Sequence, residues 1–164
     1  MNNPEASSLP ASAQRVADVL QTLGHPQPVR MLPASGRTSA EAAAALGCAV
    51  GAIAKSIIFR RQQDDCAVLV LASGAVRIDE NKVASHCGPI GRADAAFVRE
   101  KTGYAIGGVC PLGHPQPAII LLDRSLLVWQ EVWAAAGHPH AVFAASPQQL
   151  QHMTGAELVD VAQV

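Results

Sequence analysis

Apolar residues recur along this chain with two different periods, and each change of period marks an element. Val16, Val19, Leu20 and Leu23 fall at helical spacing after Ser12, a candidate N-cap, and Gly24 stands where a helix-ending glycine is expected. A first helix is predicted there. Pro26 and Pro28 force extended backbone, so Val29 to Leu32 reads as a short strand. Thr38 or Ser39 caps a second helix, with Glu41 at the favourable end of its dipole and Gly47 as its stop. The β-branched run after Lys55 predicts a strand, Gln62 to Asp65 a polar hairpin loop, and Cys66 to Ala72 a strand apolar on both faces.

Downstream, Asp79 caps a predicted helix, and a short helix over 93–103 closes on Gly103. Residues 104–106 and 118–123 read as strands on either side of a loop. Trp129 and Trp133 are four apart, which predicts a turn or helix with both rings on one face, packed into the core. A tight loop at Gly137 to His140 precedes a strand over 141–144. Ser146-Pro147 opens a last helix that ends at Thr154-Gly155, and 156–161 is a final strand. Strands alternating with helices, without strict βαβ regularity, predict a mixed sheet with helices on its outside.

Composition narrows the function classes. The chain has 164 residues, of which 49% are hydrophobic, enough for one buried core and too few for two full domains. Its net charge of −1 provides no global basic surface, so any RNA contact is local. Cys48, Cys66, Cys87 and Cys110 are irregularly spaced, with no Cys-x-x-Cys and no ligand pair at zinc-finger spacing, so no metal site is expected. The polar first ten residues read as a frayed tail without a signal-peptide core, and no apolar run reaches membrane-spanning length. A cytoplasmic protein with reduced thiols is expected.

The chemistry is concentrated in Gly107-Gly108-Val109-Cys110-Pro111-Leu112-Gly113-His114-Pro115, where three glycines and two prolines lie between apolar runs. Glycine allows backbone to approach a ligand closely and proline stiffens a loop, so this stretch is either a functional loop or a demanding structural connection; its residues alone leave both open.

Three groups of residues, in this order, resemble the YbaK/ProX family: Thr38-Ser39-Ala40-Glu41-Ala42-Ala43 with Leu46-Gly47 and Ile53-Ala54-Lys55-Ser56-Ile57; Val68 to Gly74 with Asp79 to Val83; and Thr102 to Gly113 with the late Ala136-Gly137 loop. That family comprises trans-editing aminoacyl-tRNA deacylases and the editing domain of bacterial prolyl-tRNA synthetases. The likeness spans roughly residues 12–162, leaving 1–11 as a flexible tail and 12–164 as the editing domain.

The resemblance implies a single compact α+β domain, with a mixed, strongly curved β-sheet flanked by helices. It implies hydrolysis of the aminoacyl ester of mischarged tRNA(Pro) bearing a small amino acid such as Ala, Cys or 2-aminobutyrate, without metal, cofactor or covalent intermediate. The family's site lysine maps onto Lys55 and its glycine- and proline-bearing loop onto Gly107 to Gly113. Where some members carry an acidic residue in the late loop, this chain has Gly137-His138-Pro139-His140.

Ester hydrolysis needs an attacking water and stabilisation of the oxyanion. Backbone N–H groups of Gly107 and Gly108 are the expected oxyanion donors, and Lys55 the point charge on a phosphate or the carbonyl oxygen. Cys110, Pro111, Leu112, Gly113, Gly137, His138 and His140 are expected to bind substrate. Cys110 activated by His114, His138 or His140 is an alternative nucleophile, although no sequence context fixes a base beside it. Pocket volume would select the amino acid, each methylene being worth ~1–3 kcal/mol. A non-catalytic tRNA- or synthetase-binding module of the same fold is the other reading. The small basic surface favours tRNA selection borrowed from prolyl-tRNA synthetase.

Overall fold

The computed structural model describes residues 9–164, so most of the expected N-terminal tail lies outside the described residues. The first helix, α1 (Ala11–Thr22), buries Ala13, Val16 and Leu20. Its N-cap is Pro10 rather than Ser12: the Pro10 carbonyl accepts from the Gln14 N–H at 2.8 Å, so the helical ladder starts before Ser12 is reached. After β1 (Arg30–Met31) comes α2 (Ser39–Leu46), where Thr38 Oγ1 accepts from the Glu41 N–H at 3.1 Å and Gly47 takes the left-handed conformation.

A hairpin follows, formed by β2 (Ile53–Arg61) and β3 (Ala67–Ser73), and every residue of β3 is buried, as its unbroken apolar run predicts. Next are α3 (Glu80–Cys87), capped by Asp79, then β4 (Ile90–Arg92) and α4 (Ala95–Thr102), capped by Asp94 and closed by Gly103. Strand β4 has no apolar alternation and is not predicted by sequence. The chain ends with β5 (Ile119–Asp123), β6 (Val132–Ala135), β7 (Ala141–Ala145), α5 (Pro147–Thr154) and β8 (Glu157–Val159). Helix α5 begins with the capping box that Ser146 and Gln149 form.

All eight strands join one mixed sheet in the order β1-β7-β6-β2-β3-β5-β8, with β4 pairing separately to β2. Pairs β2–β6, β3–β5 and β5–β8 are parallel, and the other pairs are antiparallel. The larger core lies between one sheet face and helices α1, α4 and α5, through Val16, Leu20, Val98 and Leu150. A second core under α3 joins Val83 and Cys87 to Val68 and Val70. Helix α2 covers Ile53 through Ala42 and Ala43. The expected single mixed α/β domain is what forms.

Two further expectations are corrected. Residues 104–106 form no strand; Tyr104 is buried, and its hydroxyl donates to the Leu112 carbonyl at 2.7 Å, folding the segment back on its own loop. Trp129 and Trp133 share no helix face. The chain makes a 3₁₀ turn over Arg124–Val128 and then enters β6, whose inward positions Val132 and Ala134 are buried by pairing with β7. The Trp129 ring lies over Gly51, where a Cβ would come within 2.6 Å of it, while Trp133 sits under the Arg30 guanidinium, 5.7 Å from the ring centroid. Short apolar runs fit either period, and here the neighbouring strand decided.

Candidate active site

Strand β2 has a partner along its whole length on the β3 side and an interrupted one on the other. There β6 pairs only with Ile53 and Ala54, and β4 only with Phe59, Arg60 and Arg61. Residues 55–58 between them form an open edge inside the sheet. A cavity of about 310 Å³, within the range of small-molecule sites, occupies that gap. The 55–58 edge forms one wall, the start of α2 with Arg37 another, and the Gly107 and His138 turns a third, with Val98 of α4, Trp133 and Ala135 of β6 and Val142 of β7 also lining it. Ile53, Ile58, Val98 and Val109 make its lining mostly apolar, and no Asp or Glu lines it among the described residues.

Lys55 lies in this wall. Its Nζ donates to the Val76 carbonyl, and desolvation, followed by the nearby Arg77 charge, lowers its pKa from the ordinary lysine value. Gly107, on the facing loop, has φ +96°, and a Cβ there would stand 2.9 Å from Arg37 Cγ. The Gly108 N–H is committed to the Ala105 carbonyl at 3.0 Å, whereas the N–H groups of Gly107 and Val109 have no protein acceptor among the described residues. A Cβ on Gly108 would come within 2.8 Å of the His138 carbonyl carbon. Gly108 thus lets two loops touch, and its neighbours hold the free donors.

The loop is braced from behind. Arg15 of α1 stacks over the Tyr104 ring at 4.4 Å and donates to the Thr102 carbonyl at 3.3 Å. Burial pushes the Tyr104 hydroxyl up to about 12, so it stays a neutral donor to Leu112. Cys110 is fully buried behind the loop and does not line the cavity; desolvation pushes its thiol up to about 12, and the Leu112 N–H donates to its Sγ at 3.4 Å. His114 does not address that sulfur. Its Nε2 donates to the Cys110 carbonyl at 2.7 Å, and burial lowers its pKa. A protonated, enclosed thiol without a base is a packing group, and the cysteine-nucleophile alternative has no geometry behind it.

Of the residues that sequence grouped, Lys55, Gly107 and His138 meet at the cavity. Pro111, Leu112 and Gly113 line a separate, more open depression with His114 and Met153. Gly137, at φ +88°, packs against the Ser12 carbonyl and Tyr104. His140 braces the His138 turn: its N–H donates to His138 Nδ1 at 3.0 Å, its Nδ1 lies 3.3 Å from the Leu32 carbonyl, and its own carbonyl accepts from the Leu32 N–H at 2.6 Å. Sequence reading missed Arg37 and Ser56, both in the cavity wall. A lone arginine between a glycine and a helix cap gives no periodic signal, and a serine in an apolar strand reads as filler.

Among the described residues no group of three or more His, Cys, Asp or Glu is placed to hold a metal, and no helix is long and apolar enough to cross a membrane.

An open edge in a mixed sheet, facing a left-handed glycine loop, is the candidate site, and comparison with known proteins places the chain in a family. The model of the aminoacyl-tRNA editing domain matches residues 34–153, which contain every cavity residue named above. The chain belongs to that family, the one that its YbaK/ProX-like sequence order indicates. The Bacillus subtilis (strain 168) protein YwhH is 34% identical over 121 residues, covering 73% of this chain and 76% of that protein. A crystal structure described as a "putative trans-editing enzyme for prolyl tRNA synthetase" is 45% identical and covers 96% of this chain and 100% of its own, with a TM-score of 0.89. The crystal structure of hypothetical protein APE2540 is 31% identical and covers 91% of this chain and 99% of its own, at a TM-score of 0.84.

Proposed function

We propose that the chain is a trans-editing deacylase that hydrolyses the ester of tRNA(Pro) mischarged with a small amino acid. The observation that carries this reading is the placement of Lys55 and the free N–H groups of the 107–109 turn around one acid-free cavity at the break in the sheet. An aminoacyl ester brings a carbonyl that becomes an oxyanion and a phosphodiester that is already anionic. A cavity with cationic side chains and, among the described residues, unpaired N–H donors and no carboxylate suits both. Its size admits an amino acid with part of the terminal adenosine.

In this mechanism a water attacks the ester carbonyl while the Gly107 and Val109 N–H groups receive the developing oxyanion. The ester C–O bond then breaks, the ribose hydroxyl leaves with a proton derived from that water, and the free amino acid departs. Lys55, in the 55–58 edge, supplies positive charge to the carbonyl oxygen or to the phosphate of the terminal nucleotide. His138 lines the cavity, held by His140, and is placed to contact the aminoacyl group. The likeness to the structure described as a "putative trans-editing enzyme for prolyl tRNA synthetase" supports tRNA(Pro) as the carrier, and the net charge of −1 supports recruitment through a bound synthetase.

The test is release of amino acid from tRNA(Pro) charged with Ala, Cys, Ser, Thr or 2-aminobutyrate, comparing wild type with Lys55→Ala. Turnover by wild type and its loss in a folded Lys55→Ala variant is the expected result. Wild-type-like activity in that variant would remove Lys55 from the site, and turnover of none of the substrates would make the chain a binding module rather than a deacylase.

A further inference from the structure

Ser56 stands out in the cavity wall. Its hydroxyl oxygen is buried and has no partner among the described residues. The direction of its main chain follows from its neighbours. The Ile53 carbonyl accepts from Gly74 and the Arg61 N–H donates to Cys66, both on the β3 side, whereas the Gln62 N–H turns the other way, to Pro89. Backbone groups of alternate residues point to alternate edges of a strand, so odd positions of β2 face β3 and Ser56 faces the open edge. Neither β6 nor β4 reaches that position. Ser56 therefore brings an N–H, a C=O and a hydroxyl to one point of the cavity, none of them bonded to protein among the described residues. Its surroundings are Ala54 and Ile58 on the same strand face, with Val98 and Val109 across the cavity.

Resting on the deacylase reading, we propose that Ser56 receives the amino-acid half of the substrate and makes the site selective for a hydroxyl-bearing aminoacyl group, seryl above all. The Ser56 carbonyl accepts from the α-ammonium, which sets the substrate Cα beside the strand edge and its short side chain among the apolar wall residues. There the Ser56 hydroxyl offers that side chain a polar group on the strand itself. It breaks no protein hydrogen bond when it turns to the ligand, so the bond to a substrate hydroxyl is a net gain. A methyl group in the same place leaves the Ser56 hydroxyl unpaired, and a buried polar group left unpaired is the stronger source of discrimination. The prolyl group, a ring without a hydroxyl and with a secondary ammonium, forms neither contact in full.

Serine and 2-aminobutyrate differ by a hydroxyl in place of a methyl at nearly constant shape, so their tRNA(Pro) esters are the decisive pair. Wild type should deacylate seryl-tRNA(Pro) with a kcat/KM about tenfold above that for 2-aminobutyryl-tRNA(Pro), and Ser56→Ala should bring that ratio to about one. N-acetylseryl-tRNA(Pro), which lacks the ammonium, should be a poor substrate for both proteins. Equal or faster turnover of the 2-aminobutyryl ester by wild type, or an equal loss on both esters in a Ser56→Ala protein with wild-type circular dichroism, overturns the assignment while leaving the deacylase reading intact. Hydrolysis of neither ester, nor of the alanyl, cysteinyl or threonyl esters, overturns both.

Discussion

Gly108 and His138 meet backbone to backbone: a Cβ on Gly108 would stand 2.8 Å from the His138 carbonyl carbon and 2.9 Å from its Cα. The neighbouring atoms are main chain and cannot swing aside. Gly108→Ala should therefore push the two cavity loops apart, at a stability cost of about 1–3 kcal/mol and with a larger fractional loss of kcat/KM than the change in thermal midpoint accounts for. Unchanged activity with a lowered midpoint would show that the loop contact serves folding alone.

Arg37 lays its stem across Gly107, and its guanidinium has no ion pair or hydrogen bond among the described residues. An exposed cation held at a cavity mouth by packing of its stem is suited to a phosphate of the acceptor end. Arg37→Ala should raise KM for aminoacyl-tRNA several-fold with kcat little changed, and should reduce the slope of log affinity against log salt by about 1. A salt slope equal to that of wild type would remove Arg37 from the phosphate contacts.

Cys110 offers the opposite contrast. Its thiol is enclosed and pushed up to about 12, so it is protonated at neutral pH and shielded from reagents. Cys110→Ala should cost about 1–2 kcal/mol of stability from the small cavity it leaves, with kcat/KM within about twofold of wild type at a temperature where both are folded. A loss of activity by orders of magnitude in a folded variant would reinstate covalent catalysis.

His114 predicts a pH dependence. Burial lowers its pKa from the ordinary 6.5, so the folded protein keeps the imidazole neutral where the unfolded chain protonates it. The unfolded state then binds more protons, and stability falls with falling pH below about 6.5 until the folded value is reached, being fully present above that window. The urea midpoint should drop as the pH falls below about 6.5, and the drop should be shallower in His114→Gln. Parallel profiles for the two proteins would assign the acid sensitivity to other groups.

Much of the architecture is local chemistry. Thr38, Asp79, Asp94 and Ser146 each bond an N–H within three residues of themselves, and Gly47, Gly103 and Gly155 each close a helix in the left-handed conformation, so four helices are legible from short windows of sequence. The seven buried residues of β3 are legible for a related reason, since an unbroken apolar run suits a strand covered on both faces.

At 104–106 the buried Tyr104 bonds back to Leu112 within its own loop instead of entering a strand, whereas around Trp133 two periods fit one short run and pairing with β7 chooses between them. The site shows the same division. Sequence order pointed to Lys55 and the glycine loop, because a lysine in an apolar strand and left-handed glycines are marked by residue type. The cavity itself, and with it the unpaired main chain of Ser56, exists because β6 and β4 stop pairing with β2 on either side of residues 55–58. Capping and burial preference are written within a few residues, but where a strand loses its neighbour depends on how segments far apart in the chain are brought together, and only the folded sheet decides that.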